Sequence, residues 1–332
     1  MKTNPKSELR NPKQIRNAEI QMIETLLRPR REPFGAFDCG HSCLFRISDF
    51  GFRALLLIGV ALLLAGCATG PERLTVCPGK SGVEEALQTL TAQAKAAVPL
   101  QAKGEAFLTY YVPDKKTPQR QNLLLQLRFD PPMDIYILGG VSVDARVVVM
   151  GSNEKQFWLA LLPKEVSSYY LGEWDEVRDF EGLLMSPQVV FEAFGYLAGP
   201  GNEPNVAHWT LANKGPYDIL TQQDETGRMV KRVHVYACDY RIHKIEHFDA
   251  DGKAIAVAQF GGYESVEGFP VPTKIRIIST TPDGRKDTTE ITLSNPKTAT
   301  FNDRQRKAFF SPPEEDRYEN VYRYEAGQWV PQ

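Results

Sequence analysis

The sequence predicts a mainly β chain with a little α: one strongly curved antiparallel sheet, a half-barrel of about a dozen strands, with a leading amphipathic helix and a helical lid. Three observations predict it. From residue 100 the apolar residues recur every second position, the period of a half-buried strand. Several of those segments are apolar on both faces, so both faces of the sheet need cover. A lone helical segment, bounded by Pro187 and Gly195, interrupts the strands midway.

Residues 81–98 come first. Val83, Leu87, Leu90 and Ala94 fall on one helical face, and Ser81 with Glu84 three residues on reads as a capping box. Ala106, Leu108, Tyr110 and Val112 then alternate along a first strand, and Leu123, Leu125, Leu127 and Phe129 along a second. Residues 155–162, KQFWLALL, set Phe157, Leu159 and Leu161 against Trp158, Ala160 and Leu162, so this strand is expected to be covered on both sides. Further strands are expected over 133–138, 146–150, 168–171, 208–212, 217–222, 229–237, 240–248, 254–263, 273–280 and 288–293. Asp249-Ala250-Asp251-Gly252 and Pro282-Asp283-Gly284 supply hairpin chemistry between them. In the mid-chain segment, Ser186 suits an N-cap, Pro187 the first helical position and Gly195 the end. Val190, Phe191, Phe194 and Leu197 form its apolar stripe.

Ahead of this domain the chain has a different character. Arg46 and Arg53 precede twelve apolar residues, 54–65, too short for the roughly 20 that span a bilayer and right for a signal-peptide core. Leu64-Ala65-Gly66-Cys67 follows and resembles the bacterial lipobox, in which the Cys thiol takes a diacylglyceryl group before cleavage. Cys67 is therefore the expected lipidation site and first mature residue. Two or three acyl chains, at about 0.8 kcal/mol per buried CH₂, anchor such a chain to a membrane. Residues 1–45 nearly repeat NPKSELR as NPKQIRN, carry no sustained hydrophobic period, and read as disordered or as sequence translated from too early a start. The expected organisation is thus 1–45 extension, 46–66 signal peptide, 67–80 tether rich in Pro and Gly, 81–313 the half-barrel domain, and 314–332 a C-terminal tail.

Charge and cysteines narrow the function. Residues 1–66 carry a net +4 and the remainder −6, and an acidic body without a basic run is a poor fit to a phosphate backbone; nucleic acid is excluded as a partner. After cleavage only Cys77 and Cys238 accompany Cys67, in a compartment where a disulfide persists; they either pair or stand as separate thiols.

No G-x-S-x-G elbow, H-E-x-x-H helix, P-loop or G-x-G-x-x-G occurs, so neither enzyme chemistry nor a metal or cofactor is expected. His243 and His247 share a strand face by parity but lie about 13 Å apart at roughly 3.3 Å per residue, too far to ligate one ion unaided. Cys39 and Cys43 offer too few ligands for a metal site. Glu173, Asp175, Glu176, Asp179 and Glu181 around Trp174 read as a solvated acidic loop.

The order helix, long meander, helical lid, second meander resembles the LolA/LolB-like lipoprotein-carrier fold. Local cues are Lys103-Gly104-Glu105-Ala106 entering the first strand and Arg128-Phe129-Asp130-Pro131-Pro132 before the strand from Ile135. Others are Val147-Val148-Val149-Met150-Gly151-Ser152-Asn153 turning into Phe157-Trp158-Leu159, and Phe310-Ser311-Pro312-Pro313 near the end. The resemblance covers roughly residues 81–313. It implies a hydrophobic groove that takes acyl chains or lipids, lined by Leu108, Tyr110, Leu125, Leu127, Phe129, Ile135, Ile137, Val147, Val149 and Trp158, with Phe191 and Phe194 from the lid. The lipobox-like Cys67 separately implies a lipid-anchored protein facing the periplasm, and Ala68 rather than Asp after it is similar to the outer-membrane form of the bacterial sorting signal. Where the family's acceptor engages membrane through an exposed leucine on a loop, this sequence offers only Val141 and Val143. The other reading is a non-transferring structural lipoprotein that docks protein partners in the envelope.

Overall fold

The computed structural model describes residues 75–111, 117–141, 144–162, 167–174, 187–197, 204–280, 284–325 and 328–332. The expected extension, the signal peptide, Cys67, Val143, Ser186 and most of the acidic loop lie outside the described residues.

Helix α1 (Val83–Lys95) buries Leu87, Leu90 and Ala94 of its expected stripe together with Ala86, while Val83, in the first turn, is only half-buried. Its cap is shifted by one residue: Gly82 is the N-cap, and Glu85 rather than Glu84 turns back to accept from the Ser81 amide and hydroxyl. Six strands follow, β1 (Leu100–Tyr110), β2 (Gln119–Asp130), β3 (Asp134–Val141), β4 (Asp144–Ser152), β5 (Gln156–Leu161) and β6 (Ser168–Glu173). After helix α2 (Pro187–Ala193) come β7 (Trp209–Lys214), β8 (Tyr217–Gln223), β9 (Met229–Tyr236), β10 (Ile242–Phe248) and β11 (Ala254–Gly261). The chain then makes β12 (Glu264–Val266), β13 (Phe269–Val271), β14 (Lys274–Thr280), β15 (Lys286–Thr298), helix α3 (Asp303–Phe309), β16 (Asn320–Glu325) and β17 (Gln328–Pro331).

Fifteen of these strands form one sheet in the order β17-β16-β6-β5-β4-β3-β2-β1-β15-β14-β11-β10-β9-β8-β7, while β12 and β13 pair as a separate hairpin. Two meanders are therefore stitched together through β1 and β15, with Leu100 opposite Phe129 on one side and Thr298 on the other. The register keeps Ala106 opposite Leu123, and Gly104 opposite Leu125, so the period-two residues of both strands line one face. The described sheet is open and mixed, because β16 runs parallel to β6.

The strand count exceeds the expected dozen partly because residues 314–332 are no tail. Tyr324 and Trp329 are buried, and their rings meet at 5.2 Å, which gives β16 and β17 an apolar side with which to join the sheet. Before them α3, closed by a capping box between Asn302 and Gln305, docks at the β2–β3 turn. There Arg306 pairs with Asp130, and the Arg128 guanidinium sits 4.2 Å from the Phe309 ring centre. The chain then crosses the outer face of the sheet, where Tyr318 stacks on Tyr169 at 5.1 Å.

Side chains divide into two core clusters on the inner face and a smaller one on the outer. The first joins β1 to β6 with α2, the β12–β13 hairpin, β16 and β17; the second joins β8 to β11 and β14 with α1 and the far side of α2. The third holds Trp158, Ala160, Tyr169 and Leu171 under Tyr318. That arrangement answers the two-sided apolarity of β5. Phe157 covers Gly172 on the inner face and Trp158 covers Gly151 on the outer, each glycine being the cross-strand partner of the ring above it.

At the start of the domain, Cys77 and Cys238 are joined by a disulfide with Cα atoms 5.0 Å apart. The same segment is held by the buried Asp218, which accepts from the Lys80 amide at 2.8 Å, from Asn213 at 2.7 Å and from the Tyr240 hydroxyl at 3.0 Å.

Candidate functional site

Helix α2 straddles the two inner clusters. Its seven residues turn Phe191 into the first and Ala193 toward the second, and just past its end Phe194 enters the first and Leu197 the second. The Phe194 ring lies 4.6 Å from Phe129 and 5.8 Å from Phe269, and Phe191 lies 5.6 Å from Trp174. Gly195 ends the helix at φ 93°, a left-handed conformation natural to glycine, and so lets the chain fold back against α1. There the Tyr196 hydroxyl donates to the Ala94 carbonyl at 2.8 Å.

Nine of the twelve predicted lining residues meet in the first cluster: Leu108, Tyr110, Leu125, Leu127, Phe129, Ile135, Ile137, Phe191 and Phe194, each no more than 6% exposed. The other three do not. Trp158 and Val149 belong to the outer cluster, and Val147 shares Val149's face by alternation. On β4 it is Val148 and Met150 that face inward. The apolar run of β4 gives no hint of its parity, and residue type alone chose the wrong set.

Three inward residues escaped the sequence reading altogether. Val266, Phe269 and Val271 come from the β12–β13 hairpin, whose turn residues Glu267 and Gly268 have φ of 49° and 87°. The signal was Glu-Gly between two short apolar segments, a two-residue turn with positive φ at both positions.

The polar part of the site lies on the remaining side of α2. Glu192 is fully buried, and its Oε1 accepts from Lys231 Nζ at 2.7 Å while its Oε2 lies 3.0 Å from His247 Nε2. Gln188 Nε2 donates to Oε1 at 3.0 Å, and Lys231 Nζ donates to the Leu197 carbonyl at 3.1 Å. Burial pushes the Glu192 carboxyl up, but Lys231 and His247 outweigh it and hold the group well below the ordinary carboxylate range. Lys231 and His247 face each other across the β9–β10 ladder, so two adjacent strands present both donors to one carboxylate.

His243 and His247 do not share a face. A β-bulge between Ile242 and Lys244 inserts His243 as an extra residue, and its ring stacks on Tyr217 at 5.0 Å on the outer side. Trp174 is no solvated loop residue either: its indole donates to the Asn153 carbonyl at 3.0 Å and its ring lies 4.8 Å from Phe157. Val141 packs partly against the first cluster. On the outer face a cleft of about 710 Å³ lies between Lys103, Leu124, Leu138 and Thr292, and of the twelve only Leu125 borders it. Among the described residues no group of three or more His, Cys, Asp or Glu could hold a metal, and no helix is long and apolar enough to cross a membrane.

With that geometry established, solved structures offer a comparison. A LolA superfamily protein from Nitrosomonas europaea is 12% identical, with 68% of this chain and 97% of that one covered at a TM-score of 0.43. An outer membrane lipoprotein-sorting protein domain from Vibrio parahaemolyticus is 15% identical over 68% of this chain and 95% of its own, with a TM-score of 0.47. A DUF1329 family protein from Desulfovibrio piger is 14% identical over 69% and 97%, with a TM-score of 0.45. No family model and no curated protein matches the chain.

Proposed function

We propose that this chain is a lipoprotein anchored through Cys67 to an envelope membrane, facing the periplasm at the outer membrane. Its inner apolar face takes acyl chains, with α2 acting as the lid. The observation that carries this reading is the plug formed by α2: Phe191 and Phe194 occupy a cluster built from aliphatic and aromatic side chains of β1, β2 and β3, as a bound chain would. The exchange is energetically feasible. Withdrawing two Phe side chains forgoes roughly 1.5–3 kcal/mol each, whereas a palmitoyl-length chain, at about 0.8 kcal/mol per methylene, supplies on the order of 10 kcal/mol of burial. We assign the protein no covalent chemistry.

Native mass spectrometry of the chain from residue 67, purified in detergent and then delipidated, tests the reading by adding palmitoyl lipid. One lipid bound per chain is expected, with binding weakened when Leu127 or Ile137 is replaced by Asp on a variant that still folds. No lipid bound to a folded protein would overturn it. For the anchor, metabolic labelling with an alkyne fatty acid should mark the wild type and not Cys67→Ser; label on both would remove Cys67 from the proposal.

A second reading, docking of an envelope protein partner, is favoured by Phe107 and Leu124, which stand 44% and 55% exposed on the outer face of the central strands. Crosslinking from position 124 in whole envelopes would yield a protein adduct under this reading and none under the first.

A further inference from the structure

We infer that Lys231 and His247 form a seat for the anionic headgroup of the lipid bound beneath α2, and that Glu192 occupies this seat while the lid is shut. The inference rests on the acyl-binding reading above and adds the class of lipid to it.

Location makes the pair unusual. Lys231 follows the inward face of β9 with Val233 and Val235, and His247 follows that of β10 with Ile245, so both nitrogens border an apolar cluster. The Lys231 side chain is 9% exposed and that of Glu192 1%. An ammonium so placed is tolerated only with an anion against it, since taking a charge out of water costs several kcal/mol. Here the two nitrogen groups and the carboxylate they meet have different owners. Lys231 and His247 are fixed at facing ladder positions in the sheet, whereas the carboxylate is carried by the lid. The second acceptor of Lys231, the Leu197 carbonyl, also belongs to the segment that ends the lid. Any movement of α2 that frees the apolar face therefore withdraws both oxygens from Lys231 at once.

An incoming group with two acceptor oxygens restores them. The Glu192 carboxylate meets Lys231 with one oxygen and His247 with the other, and a phosphodiester or carboxylate headgroup presents the same pair. A choline headgroup adds a quaternary cation that the seat has no anion to meet once Glu192 has left. His247, with its side chain 26% exposed, marks the side open to solvent, where a headgroup would remain as its chains enter.

The experiment uses the chain from residue 67 and measures binding of phosphatidylglycerol, phosphatidylcholine with the same acyl chains, and inorganic phosphate alone. Phosphatidylglycerol is expected to bind about tenfold more tightly than phosphatidylcholine, a difference of about 1.4 kcal/mol. Phosphate alone should not bind, because without acyl chains nothing displaces the helix. His247→Gln, at the exposed end and compatible with folding, and Lys231→Met should each reduce the preference, read as the ratio of the two affinities, to less than about threefold. Equal binding of both lipids by the wild type would overturn the seat and leave the acyl pocket standing. Binding of neither lipid would overturn both. Phosphate bound as tightly as the anionic lipid would show a free-anion site and refute the lipid assignment.

Discussion

Opening the Cys77–Cys238 disulfide should cost this protein about 5 kcal/mol. The bridge spans a sequence separation of 161 residues, and the loop-closure relation for a crosslink of that length removes about 17 cal/mol/K from the unfolded chain, or about 5 kcal/mol at 25 °C. Little of that should be lost on the native side. The Lys80 amide still donates to Asp218, and Asn213 still donates to the Lys80 carbonyl at 3.3 Å, so the first residues of the domain stay in place without the bridge. The test is urea unfolding followed by tryptophan fluorescence for the oxidised protein, the dithiothreitol-reduced protein and the Cys77→Ala/Cys238→Ala variant. With a slope of about 3 kcal/mol per molar, the midpoint should fall by about 1.7 M, and by the same amount for reduction and for substitution. A shift worth less than about 1 kcal/mol would refute the reasoning, because the crosslink would then be constraining a chain already compact when unfolded.

Three further outcomes follow from the packing and charges. Gly172→Ala places a Cβ 2.2 Å from the Phe157 ring and should destabilise by about 1–3 kcal/mol in the same urea assay, as should Gly151→Ala beneath Trp158. Lys231→Met leaves a buried carboxylate short of its nearest cation and should cost about 3–5 kcal/mol, whereas Glu192→Leu/Lys231→Met should recover most of that, a non-additivity read from a double-mutant cycle. Burial, followed by the neighbouring Asp130 charge, pushes Asp134 up to about 6, so the folded state holds a proton there that the unfolded chain releases at lower pH. The penalty is therefore present above pH 6 and fades as pH falls toward 4. Asp134→Asn should raise stability at pH 7.5 by about 1 kcal/mol, discounted for partial exposure, and leave it unchanged near pH 4.

Much of the sheet could be read from the chain because its information is local. Ala106 to Tyr110 and Leu123 to Phe129 alternate cleanly, and three of the four residues its spacing picks out on α1, Leu87, Leu90 and Ala94, are buried. What escaped depends on partners distant in sequence. Val147, Val149 and Trp158 sit in runs apolar on both faces, where only the pairing of β3, β4 and β5 decides which way each points. His243 changed sides through one inserted residue at a bulge, which parity counting cannot see. Tyr324 and Trp329 looked like a tail because β16 finds its partner in β6, about 150 residues earlier, in the one parallel pairing among the described strands. The charged half of the site was hidden for the same reason: a glutamate in a short helix, a lysine and a histidine are unremarkable until α2 lies over β9 and β10.

The central position of β1 has a consequence for how the protein is made. Its second neighbour, β15, is nearly 190 residues further on, so at a synthesis rate of about 5–20 residues per second the ribosome finishes β1 roughly 10 to 40 s before that neighbour exists. Throughout that interval the side of Leu100–Tyr110 that will face β15 keeps its amides and carbonyls unmatched, the template on which nascent chains stick to one another. The strand order itself thus leaves the middle of the finished sheet as a temporary edge.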